Sequence, residues 1–232
     1  MTGKKKGSIS GASGRKLAVR VKTARGRTVG QVRWLERQLN DPYVAEARAR
    51  GYRSRAAFKL IELDDRLKLI KRGGRIVDLG AAPGGWTQVA VERAGPGATV
   101  VGLDISPMDP VPGAEIIHLD FLAEDAPERL KAAMGGEADA VISDMAAPAT
   151  GHRQTDHMKI MALCEAALDF AQDVLKPGGA FVCKVQRGGT EGQLLQAMKK
   201  NFRSVSHVKP PASRADSAEM YVVALGFRGR GG

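Results

Sequence analysis

The chain has 232 residues, 43% of them hydrophobic, enough for one sizeable core with extensions. No run of about 18 uncharged apolar residues occurs, so no transmembrane helix is expected, and glycines and serines rather than an apolar stretch follow the first lysines, which excludes a secretory signal. The net charge of +11 is unevenly placed: residues 1–35 hold ten Lys and Arg and no acid, whereas the rest holds 26 bases and 25 acids.

Residues 1–35 form a basic N-terminal arm, too rich in Gly, Ser, Thr and Lys to fold alone, and are expected to be disordered. Such an arm reads as a polyanion contact, most often nucleic acid; a solubilising tail is the plainer alternative. A folded domain is expected over 36–227 and a flexible Gly/Arg tail over 228–232. Val32 to Arg50 is weakly helical. Ser54 to Ile70 is a stronger helix, with Ala57, Leu60, Ile61, Leu63, Leu67 and Ile70 at three- and four-residue intervals, Ser54 as N-cap and Gly73-Gly74 as stop. Then strands and helices alternate. Strands are expected near 75–79, 99–103, 115–119, 138–143, 180–185, 204–208 and 220–225, and helices near 85–93, 127–134, 155–175 and 191–201. This alternation implies an α/β fold with a mostly parallel seven-stranded sheet and helices on both faces. The link 209–218 is too short for a helical crossover, so the last strand should pair antiparallel.

Asp78-Leu-Gly-Ala-Ala-Pro-Gly-Gly-Trp86 lies between the first strand and its helix, where open α/β sheets bind nucleotide-like ligands. Its glycines, Gly80, Gly84 and Gly85, lack the G-x-G-x-x-G spacing of a dinucleotide site. Asp104 ends the next strand, where a carboxylate accepts bonds from ribose hydroxyls. A nucleoside cofactor without a pyrophosphate fits better than NAD, and S-adenosylmethionine is the common one. Asp78, Asp104, Asp120 and Asp144 all follow apolar runs at strand ends. Asp104 suits ribose, Asp120 an adenine amino group, and Asp144 stands near where a transferred methyl would lie. One such Asp alone can be a helix cap; four in succession point to a site.

Lys184 sits within the apolar run Ala180-Phe-Val-Cys-Lys-Val185. An unpaired buried ammonium is expensive, so Lys184 either reaches solvent or meets acidic partners. Lys59 poses a similar question within its helix, although an exposed helical lysine is ordinary, and Glu219, just before Met220-Tyr-Val-Val223, is ambiguous on sequence alone. Cys164 and Cys183 lack metal-ligand spacing and read as reduced core thiols of a cytoplasmic protein; no metal site is expected.

Taken together, these residues resemble the FtsJ-like family of ribose 2′-O-methyltransferases acting on large-subunit ribosomal RNA. The matching stretches are Gly51-Tyr-Arg-Ser-Arg-Ala-Ala-Phe-Lys59-Leu, Asp78 to Trp86, Ser106-Pro-Met-Asp-Pro110, Val141-Ile-Ser-Asp144-Met-Ala, Leu175-Lys-Pro-Gly-Gly179, Phe181-Val-Cys-Lys184-Val and Ser213-Arg-Ala-Asp-Ser-Ala-Glu219-Met-Tyr-Val-Val. They cover about residues 50 to 226 in family order. The resemblance implies a Rossmann-like S-adenosylmethionine-dependent methyltransferase fold. It places a catalytic tetrad on Lys59, Asp144, Lys184 and Glu219, and cofactor contacts on Gly84, Trp86, Asp104, Asp120 and Asp144. It implies a uridine in the A-loop of large-subunit RNA as target, modified in the assembled subunit by a cytoplasmic monomer with no DNA or membrane partner. Transfer RNA is the alternative substrate. Two departures adjoin the site: Ala57 where the family often has an aromatic, and Ala147-Pro148 where it continues Pro-Asn.

Methyl transfer from a sulfonium to a ribose oxygen needs in-line positioning and loss of the hydroxyl proton. Lys184 is the candidate to accept or orient that proton. A base role needs its pKa lowered from about 10.4, which Lys59 favours and Asp144 and Glu219 oppose. Two rival classes remain: an oxidoreductase, which lacks its glycine signature, and a catalytically silent RNA-chaperone protein, which would not need all four tetrad positions filled. Arg53, Arg55 and Arg214 are expected to contribute to an RNA track.

Overall fold

The computed structural model describes residues 20–21, 25–148, 150–186 and 192–229. Most of the expected N-terminal arm and the last three residues of the expected tail lie outside these. The chain divides into two compact units, Met1–Ala45 and Glu46–Gly232.

Within the first unit, helix α1 spans Val29–Asn40, so the expected arm ends in a helix. Thr28 and Gln31 form a reciprocal capping box that satisfies two orphan N–H groups at its start. The helical stretch expected as one segment is two: α2 spans Pro42–Arg50. Pro42 disfavours helical backbone at Asp41, which is extended and whose carboxylate accepts the Tyr43 N–H.

The second unit holds α3 (Ala57–Leu67), β1 (Arg75–Leu79), α4 (Gly85–Ala94), β2 (Thr99–Asp104), β3 (Glu115–His118), α5 (Ala126–Met134), β4 (Ala138–Ser143), α6 (Arg153–Val174), β5 (Leu175–Gln186), α7 (Gly192–Asn201), β6 (Phe202–Val208) and β7 (Glu219–Phe227). Helix α3 is shorter than its apolar period suggests. Ser54 is not its N-cap; Ala57, Phe58 and Lys59 donate to carbonyls three residues back, winding a tight turn into the helix. Lys68, in the left-handed region, ends it, and Ile70 donates instead to the Asp64 side chain.

The seven strands form one sheet in the order β3-β2-β1-β4-β5-β7-β6. All neighbours are parallel except β7, which runs antiparallel to both β5 and β6. Strand β5 begins at Leu175, earlier than its apolar run, because Leu175 pairs with Ala138 before the register shifts. Strand alternation divides the core. Val77, Val101, Val141, Phe181 and Val222 face one side, with α5, α6 and α7 residues. Ile76, Val100, Ile142, Val182 and Tyr221 face the other, with α3 and α4 residues. The order reverses between β1 and β4, so their carboxyl ends flank the switch point where such sheets bind ligands. No helix among the described residues is long and apolar enough to cross a membrane.

Candidate active site

Period-two alternation fixes where the charged residues stand. Lys184 shares the α3 side of the sheet with Val182, and the antiparallel register sets it opposite Tyr221. Glu219, two residues before Tyr221, shares that face. Ser143 pairs with Cys183, so Asp144, one step on, arrives beside Lys184. Helix α3 lies over this corner and brings Lys59.

These four side chains meet in a row of alternating charge. Glu219 holds Lys59 Nζ at 2.7 Å; Lys59 is 3.9 Å from Asp144 Oδ2; Asp144 Oδ1 is 3.1 Å from Lys184 Nζ. Lys184 also donates to the Asp144 backbone carbonyl at 2.5 Å. Side-chain exposures rise from 9% at Lys59 through 13% at Lys184 and 15% at Asp144 to 20% at Glu219, so each charge is largely desolvated and each meets its opposite. The place of Lys184 within an apolar run is thus explained by Asp144, through its carboxylate and its carbonyl, and not by escape to solvent.

Two further residues complete the array and were not singled out from sequence. The Tyr221 hydroxyl donates to Asp144 Oδ1 at 2.7 Å, and its ring lies 5.5 Å from that of Trp86 and 5.8 Å from Lys59 Nζ. Burial, then the charges of Asp144 and Glu219, push the Tyr221 phenol well above its ordinary pKa, so it stays a donor. Ser213 donates to Glu219 Oε1 at 2.8 Å. The signal for Tyr221 was its parity with Glu219; Ser213 gave none beyond its place in the family motif.

A cavity of about 400 Å³ adjoins the array, lined by Gly80, Asp104, Ile105, Asp120, Phe121, Met145 and the strip Ala146–Pro148, with Lys159 and Leu163 from α6. Array and cavity share a seam. Asp144 N–H donates to the Leu79 carbonyl, and the residue after each, Met145 and Gly80, stands on the cavity wall, so the tip of β4 gives Asp144 to the array and Met145 to the cavity. Gly80 has φ +81°, and a Cβ there would lie 2.8 Å from Met145 backbone atoms, so only glycine fits. Asp104 accepts from Ala82 N–H at 2.9 Å and Ser106 N–H at 2.7 Å, which fixes its carboxylate on the cavity wall. Asp120 accepts from Leu122 N–H at 3.0 Å.

The sequence-assigned cofactor residues therefore divide. Asp104 and Asp120 line the cavity and Asp144 adjoins it. Gly84 and Trp86 do not line it. Gly84, at φ +111°, packs beneath Arg53 and Met108 and starts α4; Trp86 is buried and donates its ring N–H to Ala56. Asp78 is wholly buried below the turn, accepting from Thr87 Oγ1 at 2.7 Å, while its Oδ1 meets no partner. Burial, opposed by the Thr87 bond and reinforced by Asp144 and Asp104, pushes its pKa up to about 7. Arg53 and Arg55 direct N–H groups at protein: Arg53 at the carbonyls of Pro83, Asp109 and Pro110, Arg55 at that of Ala212.

The FtsJ-like methyltransferase profile matches residues 52–227. A Parvibaculum lavamentivorans protein named ribosomal RNA large subunit methyltransferase E is 59% identical, the alignment covering 99% of this chain and 94% of that one. A Gluconobacter oxydans protein of the same name is 62% identical over 95% of this chain and 82% of its own length. A crystal structure of a Plasmodium falciparum protein assigned as a ribosomal RNA methyltransferase superposes with a TM-score of 0.69 at 31% identity, covering 77% of this chain and 100% of that one. The matched profile spans the whole sheet, both walls of the cavity and all four members of the charged row, and the chain belongs to the FtsJ-like methyltransferase family.

Proposed function

We propose that this chain transfers a methyl group from S-adenosylmethionine to a ribose 2′-hydroxyl of large-subunit ribosomal RNA, on a uridine of the A-loop in the assembled cytoplasmic subunit. One observation carries the reading: the row Glu219, Lys59, Asp144, Lys184 stands beside a cavity walled by two carboxylates. The RNA class comes from the relatives' names, and the ribose and nucleotide from the motif resemblance.

The cavity fits the cofactor. Its volume, about 400 Å³, suits a small-molecule site. Leu103, Ile105, Phe121 and Leu122 offer apolar surface to a purine, with the Asp120 carboxylate available to its amino group. Each Asp104 oxygen holds one backbone N–H and keeps a lone pair for a ribose hydroxyl. When bound, S-adenosylmethionine supplies an electrophilic methyl on a positively charged sulfur.

The charged row positions the acceptor. A ribose hydroxyl is a weak nucleophile while it keeps its proton. Lys184 directs two of its three nitrogen positions at Asp144, leaving the third to orient the incoming hydroxyl, whose proton is released to water as its oxygen takes the methyl group. Asp144, held in turn by Tyr221, fixes that direction. Lys59, held in place by Glu219, keeps its ammonium 3.9 Å from Asp144 and adds a cation to the site where the acceptor oxygen gains negative charge. The ten bases of residues 1–35 supply salt-sensitive affinity for phosphates and none of the tetrad.

The test is incubation of the full chain with tritiated S-adenosylmethionine and separated ribosomal subunits, then mapping of the label. The expected product is one ribose-methylated uridine in large-subunit RNA. Label on a base, or only in transfer RNA, would overturn the reading.

A further inference from the structure

The motif Ser213-Arg-Ala-Asp-Ser-Ala-Glu219 contributes one acid to the charged row, and the work of its remaining residues is left open. The segment is anchored from α3 and the turn before it. Glu62 accepts the Ala212 N–H at 2.6 Å, and Arg55 donates to the Ala212 carbonyl at 2.6 Å. Both backbone polar groups of one fully buried residue are thereby held by side chains 150 and 157 positions away in sequence. Ser213 follows directly and is itself buried; its N–H closes a turn onto Pro210, and its hydroxyl donates to Glu219 Oε1 at 2.8 Å. Lys59 Nζ straddles the same carboxylate, 2.7 Å from Oε1 and donating to Oε2 at 2.8 Å, and Lys59 lies on α3 between Arg55 and Glu62. The contacts form a closed circuit: α3 to Ala212, Ser213 to Glu219, Glu219 to Lys59, and back to α3.

We infer that Ser213 is a positioning residue for methyl transfer, its hydroxyl fixing the Glu219 carboxylate so that Lys59 is held by Glu219 and not drawn onto Asp144. The geometry makes the hydroxyl matter. Glu219 keeps a fifth of its side chain exposed at the start of a strand, and without a second donor its carboxylate can rotate towards water. Lys59 has Asp144 as its other carboxylate, 3.9 Å away, and Asp144 already holds Lys184. Any drift of Lys59 towards Asp144 competes with Lys184 for the same side chain. A charge-assisted hydrogen bond of this kind is strong enough to decide such a competition. The inference rests on the proposed role of the tetrad in methyl transfer.

The test compares Ser213→Ala, Ser213→Thr, Glu219→Ala and the Ser213→Ala/Glu219→Ala double variant, reading kcat and KM for ribosomal subunits, together with calorimetric affinity for S-adenosylhomocysteine. Loss of one hydrogen bond to a charged group predicts a kcat about tenfold lower in Ser213→Ala. KM and cofactor affinity should stay unchanged. Ser213→Thr, which keeps the hydroxyl, should recover most of the rate. In the Glu219→Ala background Ser213→Ala should cost nothing further, since its effect passes through Glu219. A wild-type kcat in Ser213→Ala, or a full additional loss in the double variant, would overturn the inference while sparing the tetrad. A wild-type kcat in Glu219→Ala would overturn both.

Discussion

Glu219→Gln isolates the outer charge of the row. It keeps the shape and one acceptor oxygen and removes the charge. At an effective dielectric near 20, opposite charges 2.7 Å apart attract by about 6 kcal/mol before desolvation is counted. Breaking a fully buried pair typically costs about 3–5 kcal/mol. Because position 219 is 20% exposed and the glutamine amide still accepts a hydrogen bond, about 2–3 kcal/mol is the better expectation. For a domain of this size that lowers Tm by roughly 4–12 °C. Lys59 is then left with Asp144, so the row shortens and Lys184 shares its only carboxylate. We expect kcat to fall roughly 10–100-fold, a loss of about 1.4–2.7 kcal/mol of transition-state stabilisation. Thermal melts and methyl-transfer rates at saturating cofactor measure the two effects. The double variant Lys59→Met/Glu219→Gln separates them: with the orphaned ammonium gone, stability should return to within about 1 kcal/mol of wild type while activity stays low. A double variant as unstable as the single one, or a single variant with full activity, would refute the charge-row argument.

Lys184→Ala should abolish methyl transfer yet leave calorimetric affinity for S-adenosylhomocysteine within about twofold, because Lys184 faces Asp144 and not the cavity wall. Asp104→Ala should do the reverse, weakening S-adenosylhomocysteine binding by about 10–100-fold through loss of a charged acceptor; unaltered affinity would remove Asp104 from the cofactor site. Asp78 gives a pH signature. The folded protein holds its proton up to about pH 7, whereas the unfolded chain releases it near 3.8, so wild-type stability should fall as pH rises through that window, by at most ~4 kcal/mol from this group. Asp78→Asn should flatten that slope in urea melts at pH 5 and 8; equal slopes in both proteins would mean that Asp78 is ionised in the folded state.

Much of this site was legible from strand ends. Asp104, Asp120 and Asp144 each follow an apolar run, and a doubly wound sheet binds its ligands there. Lys184 was legible as an anomaly, an ammonium in an apolar strand whose partners then proved to be Asp144's carboxylate and carbonyl. Lys59 and Glu219 carried no such mark. Their meeting spans 160 positions and depends on how α3 lies across the sheet, which no local pattern encodes. Trp86 shows the converse limit. The family resemblance assigns it to the cofactor, but no local pattern marks that its ring also lies 5.5 Å from that of Tyr221 and that its N–H donates to Ala56. The apolar period of 54–70 overstated α3 because a period reports which face is buried, not where the backbone leaves the helix; Lys68 does so in the left-handed region.

The antiparallel last strand is what completes the row. Asp144 and Lys184 lie towards the carboxyl ends of parallel strands, so both reach the ligand-binding edge of the sheet. Glu219 is the first residue of β7. In a parallel strand of nine residues a first residue would stand at the opposite edge, roughly 26 Å away. Because β7 runs antiparallel, its start reaches the same edge, with Glu219 paired to Gln186 and Tyr221 paired to Lys184. The segment before it, tied at Ala212 to Arg55 and Glu62, then passes under α3 and meets Lys59. Without that reversal Lys59 would have Asp144 as its only carboxylate in the row, and two lysines would compete for one acid. The strand direction, and not the motif alone, therefore gives each lysine its own acid and leaves Lys184 with a position for the acceptor.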